Sequence, residues 1–192
     1  MKNYLFAFIL LSGFTYPGFS QTSWGLKAGF NTSNIRNSNT DKFSKKTGFD
    51  GGLMAKTSLG KYSYLQAELL LSEKGGNSLM IPTGTTSNNL SYLSLPVLMG
   101  YRITPHVYVL LGPELSFLAA ARVKNDIMND DVTPGYKQFD FSLAGGPGII
   151  ILKKFCLETR YILGLTQLNK NESFQGSSSN RAFQLNLIYW FL

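Results

Sequence analysis

One cysteine and one histidine in 192 residues remove several kinds of chemistry at the outset. Cys156 has no partner for an intramolecular disulfide. His106 and Cys156 lie far apart in the chain and lack the spacing of a metal site, so no cofactor or metal is expected. Acidic side chains are also scarce, 11 against 18 basic ones. The basic residues are scattered: Arg36, Lys42, Lys45 and Lys46 fall in one segment and the others stand singly. No basic stripe with interleaved aromatics suggests nucleic acid as a partner. After residue 14 the chain has no apolar run near the roughly 18 residues that a spanning helix needs. Any membrane crossing must therefore be made by strands.

The first twenty residues read as a leader rather than as part of a fold. Lys2 supplies a positive start, and the apolar stretch YLFAFILLSGF (4–14) is too short to span a bilayer as a helix. Small residues in GFS (18–20) place a cleavage site near Ser20/Gln21, leaving one expected domain at 21–192.

What the chain does have is alternation. Phe183, Leu185, Leu187, Tyr189 and Phe191 share one parity, against Gln184, Asn186, Ile188 and Trp190. A period of two puts those five large apolar side chains on one face of a strand. Phe155, Leu157, Tyr161, Leu163 and Leu165 repeat the pattern opposite Glu158 and Arg160. So do Leu65 to Leu71 opposite Tyr64, Gln66 and Glu68, and Leu93 to Tyr101 opposite Ser94, Gly100 and Arg102. Further strands are expected at Val107 to Phe117, Phe139 to Leu143 and Trp24 to Phe30; the segment 47–57 is the weakest. Eight segments result.

Their connections alternate between short and long. SLGK (58–61), RITP (102–105) and Lys153-Lys154 are tight; 34–46, 75–90, 121–135 and 167–180 are long and rich in Asn, Ser, Thr, Gly and Asp. This asymmetry predicts an all-β fold, an eight-stranded antiparallel transmembrane β-barrel with short periplasmic turns and four long extracellular loops. The polar face decides between a lipid-facing and a water-facing barrel. It carries many glycines (Gly25, Gly29, Gly52, Gly100, Gly112, Gly146, Gly148, Gly164) and few charges, as a narrow interior requires. The expected interior charges are Lys27, Asp50, Lys56, Glu68, Arg102, Glu114, Asp140, Glu158 and Arg160, four basic and five acidic, read as a structural network of pairs. Trp24, Tyr62, Tyr101, Tyr136, Tyr161, Tyr189 and Trp190 are expected in interfacial girdles. Pro96 and Pro113 interrupt strands four and five, predicting a bulge at each, and Gly145-Gly146-Pro147-Gly148 predicts a bent or bulged stretch in strand six.

Catalysis is not expected. His106 follows a periplasmic turn, away from outer-leaflet chemistry, and Glu68, Glu114 and Glu158 are explained by lumen pairing. Asp126, Asp130 and Asp131 lack the regular oxygen spacing and Gly of a calcium loop.

Several motifs in order resemble a known family. GLKAGFN (25–31), GFDGGLMAKTSLG (48–60), YLQAELLLSEKGG (64–76), YLSLPVLMGYRI (92–103), VYVLLGPELSFLAA (107–120), FDFSLAGGPGI (139–149) and RYILGLTQL (160–168) look like the PorT-like outer-membrane β-barrels of Bacteroidetes. The resemblance implies an integral outer-membrane barrel, often labelled porin-like, whose namesake subgroup serves type IX protein secretion. The ending Tyr189-Trp190-Phe191 resembles the C-terminal aromatic signal read by the barrel assembly machinery, although Leu192 is the last residue. The function expected is a structural, adhesion or envelope-interaction role, with an accessory role in secretion as the alternative; a small-solute porin or a lipid A-modifying enzyme ranks lower. Outer-membrane lipid, the assembly machinery, and secretion or envelope proteins are the expected partners.

Overall fold

The computed structural model describes residues 22–37, 43–44, 46–80, 84–124, 129–131, 138–166 and 178–191. Eight strands make the wall: β1 (Thr22–Asn37), β2 (Lys46–Ser58), β3 (Ser63–Met80), β4 (Gly84–Arg102), β5 (Val107–Lys124), β6 (Phe139–Leu152), β7 (Phe155–Gly164) and β8 (Ser178–Trp190). Each pairs antiparallel with its sequence neighbour, and β1 pairs with β8 from Gly25↔Trp190 to Asn37↔Ser178. That last ladder closes the sheet into a barrel and removes its edges. The expected leader (1–20) and the proposed cleavage position lie outside the described residues.

Parity along each strand orients the wall. Leu71 is 68% exposed while Asp50, on the neighbouring strand, is 4% exposed. Trp24, Phe30, Phe49, Leu53, Leu69, Leu111, Phe141, Phe183 and Leu187 all stand outward and exposed. A contiguous apolar band around the whole molecule has no place in water and matches a lipid-facing surface. Tyr62 and Tyr101 pair near the periplasmic rim at 6.2 Å, and Tyr189 packs against Phe155 at 5.1 Å. Trp190 corrects the expected girdle: it turns inward, 7% exposed, because it shares the parity of Ile188 and Asn186. Tyr136 lies outside the described residues.

Three tight turns occupy 59–62, 103–106 and 153–154, as the short connections predict. The opposite end differs from expectation. The segment 75–90 is mostly ladder, running from Gly75↔Asn89 to Met80↔Gly84. β5 continues to Lys124, where Asn129–Asp131 pairs back on Arg122–Lys124, and Phe43–Ser44 pairs with Asn77–Ser78. Above the lipid a strand needs no apolar alternation, since backbone hydrogen bonds to its neighbour set the register. Composition therefore reads as loop what pairing makes into strand.

The prolines also behave differently from the prediction. Pairing of β3 with β4 lapses at Glu68–Leu69 facing Leu95–Pro96, and pairing of β4 with β5 lapses at Val97–Leu98 facing Gly112–Pro113. The register is the same on both sides of each gap, so neither proline makes a bulge. A missing N–H deletes a ladder bond, whereas a bulge requires an extra residue. The bulges lie elsewhere, at Ser91/Tyr92 and at Ile150/Leu152 beside a tight turn. In β6 the ladder to β7 likewise lapses over Gly146–Pro147 without a change of register.

Candidate functional site

Alternation sends every second residue into the lumen, and the narrow barrel brings side chains of distant strands together. At the centre, Glu68 of β3 accepts hydrogen bonds from Lys27 Nζ at 3.2 Å, Arg160 Nη1 at 2.9 Å and Gln66 Nε2 at 2.6 Å. Glu158 of β7 pairs with Arg160 and with Lys27, the latter at 3.5 Å, and accepts from the Tyr108 hydroxyl at 3.3 Å. Two cations and two carboxylates are thus interlocked, each with more than one partner and all fully buried. Such burial is tolerable only because the charges satisfy one another.

A second pair lies toward the extracellular side. Lys74 donates to Glu114 at 2.8 Å and lies 5.4 Å from the Tyr92 ring centroid; Ser116 also donates to Glu114, at 3.2 Å. Lys74 is absent from the expected charge set because GluLysGlyGly reads as the start of a loop. Continuing the even parity of Glu68 through Leu70 and Ser72 finds it. Asp140 accepts from Thr166 Oγ1 at 2.5 Å. Lys56 sits half-buried with its ammonium 3.9 Å from the Trp190 ring centroid and 5.9 Å from that of Tyr64. Arg102 departs from expectation: it ends β4 as an exposed residue at the periplasmic mouth, too near the strand end to be enclosed.

Asp50 stands apart. It is 4% exposed, and among the described residues neither carboxylate oxygen has a hydrogen-bond partner. Its ladder neighbours are Gly29 on one side and Ser72 on the other, and Ser72 is engaged by Asn31 Nδ2 at 3.5 Å. Burying a charged group without partners costs roughly 1–3 kcal/mol or more. Asp50→Asn is therefore expected to raise stability by about 1 kcal/mol or more, measured as a higher denaturant midpoint in lipid vesicles; an unchanged or lower midpoint would count against an uncompensated carboxylate.

Apolar and aromatic groups stand on both sides of these charges. Toward the periplasm Tyr64 and Tyr108 meet edge-on at 6.1 Å, with Met54, Leu98, Leu110, Ile188 and Trp190 in the same cluster. A cavity of about 20 Å³ beside Lys56, Tyr64, Cys156 and Trp190 has room for about one water. Cys156 is buried there as a packed side chain. Toward the outside Leu90, Tyr92, Leu118 and Ala121 form a second buried cluster. His106, by contrast, lies exposed in the β4–β5 turn, remote from the buried carboxylates.

Comparison with known proteins is consistent with this geometry. Residues 19–170 match the family model described as outer membrane protein beta-barrel domain. The chain belongs to this outer-membrane barrel family. As a member of it, the protein is similar in fold to Neisserial surface protein A, at 12% identity and a TM-score of 0.62, over 90% of this chain and 100% of that one. It is also similar to Ail, the attachment invasion locus protein of Yersinia pestis, in a structure with the heparin analogue sucrose octasulfate. That match has 13% identity and a TM-score of 0.54, over 89% of this chain and 99% of the other. No curated protein matches. At such identities the likeness extends to the fold: a closed, eight-stranded antiparallel barrel of the outer membrane.

Proposed function

We propose that this barrel is a non-conducting, non-catalytic outer-membrane protein that acts through its surfaces, in a structural, adhesion or envelope-interaction role. The observation that carries the reading is the filled lumen, with interlocked ion pairs between two apolar clusters. Eight strands leave an interior just wide enough for side chains, and here side chains occupy it. In planar bilayers the purified protein is expected to give no stable conductance step; a reproducible single-channel current would sink the reading. The interlocked charges Lys27, Glu68, Glu158 and Arg160, with the separate pair Lys74 and Glu114, serve on this view to hold the barrel together.

What supports interaction at the outer end is the paired extension of β3, β4 and β5, a platform on which polar residues can be displayed. Cross-linkers placed at 75–80 or 84–90 in intact cells are expected to capture an envelope or extracellular partner. The alternative, an accessory barrel in type IX secretion, is favoured by the PorT-like motifs at 48–60, 92–103 and 139–149. Co-purification with secretion components through the periplasmic turns distinguishes it. On either reading, a leader cleaved near Ser20/Gln21 directs export, and Tyr189, Trp190 and Phe191 are presented to the assembly machinery.

A further inference from the structure

The outer face of β4–β7 carries a dent. Met99, Leu111, Gly145 and Tyr161 form one row across the four strands, paired as Met99↔Leu111, Leu111↔Gly145 and Gly145↔Tyr161. Three of the four are large, outward and about half exposed or more. Gly145 has no side chain at the one point where the row would otherwise be continuous. The result is an apolar groove of about 670 Å³, bordered also by Tyr101, Leu143 and Leu163. Because this face is turned to lipid, an acyl chain is the species at hand to fill it.

Charge at the lower end of the groove is of one sign. Tyr101 borders the groove and lies 6.2 Å from Tyr62, over whose ring Lys61 is placed at 5.2 Å. The other basic residues of this end stand elsewhere: Lys154, beside Lys153 in the β6–β7 turn, lies 6.0 Å from the Tyr189 ring of β8, and Arg102 shares a small interior cavity at the periplasmic mouth with Lys56, Tyr64 and Trp190. The segments that form this rim, 51–67, 99–113 and 141–157, contain no Asp or Glu at all. With turns only two to four residues long, these cations are held at headgroup depth beside tyrosines.

We propose that the outer face of β4–β7 holds an anionic phospholipid of the periplasmic leaflet, with one acyl chain in the groove over Gly145 and its phosphate at Lys61, beside Tyr62 and Tyr101. Lys61 supplies the preference for a negative headgroup, since basic residues near a bilayer surface attract anionic lipid. The groove supplies the fixed position. A zwitterionic lipid would fit the groove but gain little from the rim.

The test uses the full-length mature protein in nanodiscs containing spin-labelled phosphatidylglycerol or phosphatidylcholine. Wild type is expected to immobilise phosphatidylglycerol several-fold more than phosphatidylcholine, with the preference falling in high salt. Lys61→Gln is expected to abolish the preference and leave immobilisation of phosphatidylcholine unchanged, whereas Lys153→Gln/Lys154→Gln, beside β8, is expected to keep it. Leu163→Trp, which crowds the groove, is expected to reduce immobilisation of both lipids and keep their ratio. Heat-modifiable gel mobility reports that each variant is folded. Equal immobilisation of the two lipids by wild type would overturn the proposal, as would a preference that survives Lys61→Gln. Unchanged immobilisation in Leu163→Trp would remove the groove from it. Binding of a soluble polyanion by the detergent-held protein, with no lipid preference in nanodiscs, would assign the rim to a different partner.

Discussion

Arg160→Met is expected to destabilise the barrel by about 3–5 kcal/mol, the loss typical of breaking a buried ion pair from one side. Arg160 is 1% exposed and bridges Glu68 and Glu158 on different strands. Without it those two carboxylates share the single ammonium of Lys27, leaving one negative charge uncompensated in a closed interior. Methionine restores most of the volume, so the deficit is electrostatic and not a cavity. Denaturant unfolding in lipid vesicles measures it. Adding Glu158→Gln to Arg160→Met should recover part of the loss, because the charge count is balanced again. Single and double variants whose effects simply add would show that the groups do not act as a network.

Gly52→Val is expected to impair folding outright, at a cost of about 3 kcal/mol or more, the upper range for overpacking. A side chain built at Gly52 collides with the Leu69 carbonyl oxygen and sits 2.9 Å from the Leu70 Cα. These are backbone atoms of the adjacent strand, so no rotamer change relieves the clash. Gly60 is the control: in the β2–β3 turn nothing lies within 4 Å of the added carbon, and Gly60→Ala should refold like wild type. The fraction of refolded protein with heat-modifiable mobility reads both variants. Normal refolding of Gly52→Val would mean that the wall yields more easily than close approach of β2 to β3 implies.

Much of this was legible in the chain because the lumen obeys parity. Lys27, Glu68, Glu158 and Arg160 each fall on the side of the alternation opposite the large apolar residues, so their inward direction follows from counting. Which of them meet does not. Lys27 and Glu68 are 41 residues apart and Glu68 and Arg160 are 92 apart. Only the stagger of the closed sheet sets which inward residues share a level. The same stagger leaves Asp50 beside Gly29 and Ser72 with no ion pair among the described residues, a fate no parity rule distinguishes from that of Glu68. Lys74 was hidden by its glycine neighbours, and Trp190 by the habit of assigning terminal aromatics to an outer girdle.

Sequence alone determined that the wall is made of eight strands, which face meets lipid, and which end carries the tight turns, because these depend on local alternation and on connection length. Tertiary structure decided the rest. Pairing turned polar segments such as 75–80 and 84–90 into strand, kept the register across Pro96 and Pro113, and closed the sheet through β1 and β8. It also joined charges into a network and opened a groove at Gly145, since both require side chains from several strands to arrive at one place.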